Sequence, residues 1–434
     1  EALPGGQTRR LGRVETTPAA LRAFAATLGR DDAVALEATI NTFAVARLLE
    51  EHAGRVVVSN PMRTRAIADA KIKTDKVDAA VLAQLLLADF LPGVWKPDET
   101  TRALRRLVGR RAHIVRQRTR LKNQVHAILH RNLIQACPAT DLFGVRGRAW
   151  LQALDLPVDE RDSLESYLRV FDLLTEELLS ADRACARLAG ARAEVRRLMT
   201  VPGIDYAVAM ALVAAIGDVK RFRSPLRLVS YLGLDPRVRQ SGNQPAMTGL
   251  HITKVGRAHA RGMLVEAAWA VRRSPGPLRA FWERVRARRG PQIAAVALAR
   301  KLAVLAWHLL TREEDYHWAR PALVAAKYRR LDLQAGAPPR RGQRGVAAAY
   351  WSTSTARDRD RDSGAAAEAA YRKLTATWSS QPRRATQKDV AAATGERLVG
   401  ALPGRVAELA SPSSALLHEV DHVPGHPRPR RGRA

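Results

Sequence analysis

Across the first 90 positions the apolar residues change period from one short run to the next. DAVALEA (32–38) and RVVVSN (55–60) are compact runs of the kind a buried strand uses. PAALRAFAATL (18–28) and FAVARLLEEHA (43–53) instead space apolar residues three and four apart, as one buried helix face requires. TRRLGRVET (8–16) reads as a further strand, and Thr16-Thr17-Pro18 as the turn after it. A helix is predicted from Asp75 to about Leu87. Such alternation argues an α/β unit with a largely parallel sheet.

Beyond residue 100 the pattern is helical. Residues 101–131 predict one long helix, and 158–199 predict long helices of mixed charge. Leu164, Leu168, Phe171, Leu174 and Leu178 recur at helical spacing, which marks a core or coiled-coil seam and suggests a dimer interface. At Val201 a Pro-Gly turn leads into an apolar helix ending near Gly217, like half of a helix-hairpin-helix, with Asp205 in place of the usual second turn glycine. A Gly-rich, loop-like stretch follows through Leu264, then an apolar helix over 293–310. After about Ala337 large apolar residues become scarce, and a mostly disordered tail is expected.

Composition adds a partner class. The 434 residues hold 72 Lys and Arg against 42 Asp and Glu, a formal charge of +30, with 46% hydrophobic but only 5% aromatic residues. Cores of Leu, Val and Ala are therefore expected, on a surface suited to a polyanion. Nucleic acid is the first candidate, because clustered cations gain affinity by releasing condensed counterions. No apolar run is expected to reach the roughly 18 residues of a membrane span. Cys137 and Cys185 lie far apart with no metal-ligand spacing, which fits a reducing cytoplasm. The chain starts at Glu1 with no Met before Met62, so the natural N-terminus is expected upstream.

Two sets of residues carry candidate chemistry. KTDKVDA (73–79) puts Asp75 and Asp78 three apart on one helix face, behind a strand that ends near Glu37. Three carboxylates so placed make the hard oxygen cage that Mg²⁺ (or Mn²⁺) takes. The plainer alternative is an Asp near a helix N-cap followed by a solvated one. The helix at 101–131 carries Arg105, Arg106, Arg110, Arg111, Arg116, Arg118, Arg120 and Lys122 with no Asp or Glu, which favours phosphate contact over a mixed solvated face. Gly203 in the Pro-Gly turn, and Lys254, Arg257 and Arg261 beyond it, extend the candidate nucleic-acid surface.

These segments in this order resemble the DEDD-type insertion-sequence transposases, a family described as bridge-RNA-guided recombinases. The matching pieces are ALEAT around Glu37, VVVSNPMRTRAIADA, KTDKVDA, LRRLVGRRAHIVRQRTRLKNQVHAIL, MTVPGIDYAVAMALVAAIGD, LGLDP, RQSGNQ, GLHITKVG, ARKLAVLAWHLL and REEDY, from about Arg9 to Ala337. The resemblance implies an RNase H-like (RuvC-like) N-terminal domain with four Mg²⁺-binding acidic residues. Glu37, Asp75 and Asp78 match the second, third and fourth; the first is expected upstream of Glu1, so weak or no turnover is expected of the chain as given. It also implies a C-terminal domain whose serine, matched by Ser241, attacks DNA, with Thr253 a second candidate in Ile252-Thr253-Lys254. Without the resemblance, Ser241 reads as a turn serine ahead of Asn243 and Pro245.

The expected organisation is a truncated RNase H-like domain over 1–95, a basic helical and coiled-coil region over 96–198, a mainly helical transposase domain over 199–325 and a disordered basic tail over 326–434. The expected activity is DNA transposition with DNA, a guide RNA and a homo-oligomer (dimer or tetramer) as partners, without a membrane, in the bacterial cytoplasm on nucleoid DNA. A catalytically inactive nucleic-acid-binding remnant and a RuvC-type junction nuclease are the alternatives.

Overall fold

The computed structural model describes residues 1–3, 5, 7–67, 74–134, 137–238, 240, 251–338 and 354–379. The alternating N-terminal pattern folds as α1 (Pro18–Ala25), β1 (Ala33–Glu37), α2 (Thr42–Glu50), β2 (Arg55–Ser59), α3 (Pro61–Ile67) and α4 (Asp75–Leu87). β1 and β2 pair in parallel from Ala33↔Arg55 to Glu37↔Ser59, with α2 as the crossover. Ala25 from α1, Ala46 and Leu49 from α2, and Val56 and Val58 from β2 form the small core beneath them. The strand expected over 8–16 does not form. Residues 9–15 are exposed and in no ladder, and Leu11 and Val14 offer too little apolar surface to hold an edge in place.

Two 33-residue helices come next, α5 (Glu99–Arg131) and α7 (Val158–Gly190), with the short α6 (Val145–Gln152) between them. Arg131 pairs with Glu160 at one end of α5, and Arg110 and Arg111 pair with Glu177 and Asp182 nearer the other, so the hairpin is antiparallel. Its outer end has its own core of Val125, Ile128, Leu129, Leu151, Leu164 and Leu168. The apolar seam predicted on α7 is thus filled at Leu164 and Leu168 from within this chain, which removes it as an argument for a dimer.

The inner ends of both helices enter a larger helical core. It comprises α8 (Ala193–Met199), α9 (Tyr206–Ile216), α10 (Pro225–Tyr231), α11 (Ala258–Val271), α12 (Pro277–Arg289), α13 (Pro291–Arg312) and α14 (Pro321–Ala335). Every residue of α9 from Val208 to Ile216 is buried, as a helix apolar on all sides demands. Each of its large side chains contributes about 1.5–3 kcal/mol by burial. α13 corrects one expectation: its 22 residues are long and apolar enough to cross a bilayer. Ala294, Leu298, Leu302, Ala306 and Leu309 lie buried against its neighbours, so packing within the protein accounts for that character.

The segment expected to be a disordered tail from 326 opens instead inside α14, whose Lys327 and Leu331 are buried. A further helix, α15, spans Ser354–Ser379. Its Asp360 accepts from the backbone N–H of Ala322, and its Glu368 from that of Gly276. Local composition hid these partners because they come from elsewhere in the chain. Contacts divide the chain into Glu1–Arg372 and Lys373–Ala434. Of the second unit, the described residues 373–379 are helical.

Candidate catalytic and nucleic-acid-binding surfaces

β1 delivers Glu37 at its last position, and the chain there is tightly held. Thr42, buried at the start of α2, donates from Oγ1 to the Glu37 carbonyl at 2.8 Å and accepts from the Thr39 N–H at 2.6 Å. The Glu37 side chain itself is exposed. α4 packs against β1, and Thr74 caps it by accepting from the Val77 N–H at 3.3 Å. Asp75 is therefore the first helical residue and Asp78 lies one turn on, half-buried. The side chain of Asp75 lies outside the described residues.

Among the described residues, the Glu37 and Asp78 carboxylates have no cationic partner. Hard carboxylate oxygens left free in this way suit Mg²⁺ or Mn²⁺. No group of three or more His, Cys, Asp or Glu among the described residues is placed to hold an ion.

The basic stripe on α5 is largely occupied. Arg106 pairs with Glu99, Arg110 with Glu177, and Arg111 with Asp182, which also accepts from the Tyr206 hydroxyl at 3.0 Å. Arg118 lies 4.6 Å from the Phe171 ring centre and Lys122 lies 4.7 Å from that of Phe143. Arg105 turns inward to the Ala214 and Ala215 carbonyls at 2.8 and 3.0 Å. The stripe looked free of acids because Glu177 and Asp182 sit on α7 and Glu99 lies in the first turn of α5, just ahead of it. Arg116 and Arg120 are exposed and, among the described residues, without an acidic partner.

Gly203 is a packing residue, which corrects its place in the candidate phosphate surface. It has φ +83°, and a Cβ there would meet the Ala267 carbonyl on α11 at 2.5 Å. The N-terminus of α9 beside it is capped by Asp205, which accepts from the Val208 N–H at 2.9 Å.

Ser241 lies outside the described residues, but both sides of its segment are fixed. Pro236 and Ile252 form an antiparallel bridge, flanked by Arg237 N–H to the His251 carbonyl at 3.0 Å and Thr253 N–H to the Asp235 carbonyl at 2.8 Å. Lys254 follows, exposed and in left-handed backbone at φ +58°. Arg257 donates to the Tyr231 hydroxyl at 2.7 Å, and Arg261 donates to the Leu232 carbonyl at 3.0 Å. Partial burial and the nearby Arg116 and Arg111 push the His259 imidazole below its usual range.

Sequence reasoning missed Trp95, Arg221, Tyr231 and Lys327. Lys327 carried a signal, a cation directly behind the apolar run Ala322–Ala326. The other three are brought together only by the fold.

Both halves of this arrangement match known proteins. Residues 4–133, with Glu37, Asp75, Asp78 and the stripe, match the IS110-type DEDD transposase profile, and residues 195–283, with Ser241, match the profile described as Transposase IS116/IS110/IS902 family. The transposase for insertion sequence element IS1111A of Coxiella burnetii is 30% identical over 258 residues, 56% of this chain and 68% of that one. The transposase for insertion sequence element IS1328 of Yersinia enterocolitica is 26% identical over 294 residues, 64% of this chain and 84% of that one. With both halves matched in order and relatives aligned across them, the chain belongs to the IS110/IS116 family of DEDD-type transposases.

Proposed function

We propose that this transposase cuts and rejoins DNA strands by metal-assisted chemistry at its acidic residues and nucleophilic attack by Ser241. The observation that carries the reading is the placement of two carboxylates, Glu37 at the end of β1 and Asp78 on α4, the helix that packs against that strand. Glu37, Asp75 and Asp78 would hold Mg²⁺ or Mn²⁺, which would supply Lewis-acid polarisation of a phosphodiester. A serine hydroxyl is a weak nucleophile at neutral pH and needs such help. Attack by Ser241 Oγ would form a serine–phosphorus ester as one P–O bond to deoxyribose breaks, the serine proton passing to the departing sugar oxygen as a free hydroxyl, so that the phosphoester is conserved for rejoining. The fixed bridge at Pro236 and Ile252 returns the chain at both sides of that serine. A guide RNA and a dimer or tetramer belong to the same proposal, supported by the resemblance in sequence motifs.

The test is strand cleavage of insertion-sequence end DNA by the full-length protein with Mg²⁺ or Mn²⁺. Asp75→Asn and Asp78→Asn are expected to abolish cleavage with unchanged circular dichroism, because each swap keeps shape and removes an anionic ligand. Cleavage that persists in chelator, or in Asp78→Asn, would remove the acidic residues from the mechanism.

A further inference from the structure

Six side chains from separate segments converge at the C-terminal end of α9. The Arg221 guanidinium lies 4.2 Å from the Trp95 ring centre, 4.0 Å from that of Phe222 and 4.4 Å from that of Tyr231. Its Nε donates to the Ile216 carbonyl at 2.9 Å, while its Nη2 is buried without a hydrogen-bond partner. Arg105 holds the Ala214 and Ala215 carbonyls and reaches the Tyr231 hydroxyl at 3.4 Å. That hydroxyl donates to the Ala215 carbonyl at 3.2 Å and accepts from Arg257 Nε at 2.7 Å.

Part of this is structural. The last carbonyls of a helix carry roughly half a negative charge, and cations there are stabilising. Three guanidiniums exceed that need by about two unit charges, and among the described residues no carboxylate pairs with Arg105, Arg221 or Arg257. Asp218 attracts Arg221 only weakly, behind burial and Tyr231. Concentrating unpaired cations costs stability, and a bound anion would offset part of that excess. Arg257 is the group free to meet it. It is exposed, its Nε is pinned by Tyr231, and its two terminal nitrogens are left as a fork. Such a fork pairs bidentately with a phosphate. Arg257 also ends the stretch that returns from the Ser241 segment, with its backbone N–H on the Tyr231 carbonyl at 3.2 Å.

We propose that Arg257, backed by Arg221 and Arg105 and positioned by Tyr231, binds one phosphodiester of the DNA backbone at the base of the Ser241 segment. Arg257 supplies the contact atoms, and Tyr231 is a positioning residue that fixes the fork's direction. The choice of DNA rests on the proposed function above; the anion site rests on the cluster itself.

A mixed-sequence 15-base-pair DNA duplex, titrated by fluorescence anisotropy across KCl concentrations in chelator, tests this without any cleavage step, so failure of the acidic residues or of Ser241 does not affect it. Arg257→Gln is expected to lower the slope of log K against log [KCl] by about one. Arg257→Lys is expected to keep the slope but weaken binding roughly three- to tenfold, because a point charge replaces the fork. Tyr231→Phe is expected to keep the slope and also weaken binding, since only the anchor of Arg257 is lost. Thermal midpoints identify folded variants, and phenylglyoxal labelling of the wild-type protein supplies a readout without substitution: bound duplex is expected to shield Arg257. An unchanged slope in Arg257→Gln, full affinity in Arg257→Lys, or Arg257 labelled equally with and without duplex would overturn the site. Shielding by an RNA duplex of the same sequence, with none by DNA, would overturn the assignment to DNA.

Discussion

Lys327 shows how a single buried charge can organise this fold. Its ammonium donates to the carbonyls of Met199, Val201 and Ile204 at 2.7, 2.6 and 2.9 Å, tying α14 to the end of α8 and the Pro-Gly turn. Burial pushes Lys327 down to about 7, while Asp205 pulls the other way. Between there and its ordinary value of 10.5 the unfolded chain holds a proton that the folded chain has released. This group's contribution therefore becomes more favourable as pH rises through that window, and below about 7 the folded state carries the full cost of the buried charge. Lys327→Met is expected to cost about 3 kcal/mol near neutral pH, because buried carbonyls lose their donor. Its urea midpoint should fall further behind wild type as pH rises from 7 to 10. A difference independent of pH would show that Lys327 keeps an ordinary proton affinity. The apolar setting of Lys327 was legible in the sequence, whereas its three acceptors were not, since they lie over 120 residues away.

At the scale of elements, α4 was predicted from Asp75 to about Leu87 and runs over Asp75–Leu87, because Thr74 supplies a strong cap and Ala and Leu follow. The stripe on α5 was legible as a basic helix but not as a mostly paired one. Antiparallel packing brings Glu160, Glu177 and Asp182 of α7 across to it, and no count of neighbours in sequence contains that information. Phosphate contact on α5 should therefore come from the unpaired cations. Replacing both Arg116 and Arg120 by Gln is expected to lower the KCl slope of DNA binding by about two. Arg110→Gln, which only frees Glu177, should change it less. Equal effects from Arg110 and from the Arg116–Arg120 pair would mean that the ion pairs seen here open to meet DNA.

Across the whole molecule, the α/β start, the helical remainder and the family were all readable from runs of residues that stay together in sequence. The Trp95–Arg105–Arg221–Tyr231–Arg257 cluster was not, because its members are local only after α5, α9 and α10 have packed. The proposed acidic residues lie between these cases: a strand-end Glu and two helix-start Asp were visible in the sequence, and the packing of α4 on β1 was not. Ser241 stays tied to the family motif and to the bridge that fixes both sides of its segment. The central claim is that this serine becomes bonded to DNA. Trapping the reaction on a nicked insertion-sequence end, followed by proteolysis and mass spectrometry, measures that bond directly. DNA attached to the peptide containing Gln240-Ser241-Gly242, and lost in Ser241→Ala while DNA binding persists, is the expected result. An adduct on Thr253, or strand exchange with no adduct, would contradict it and move the chemistry to water at the acidic residues.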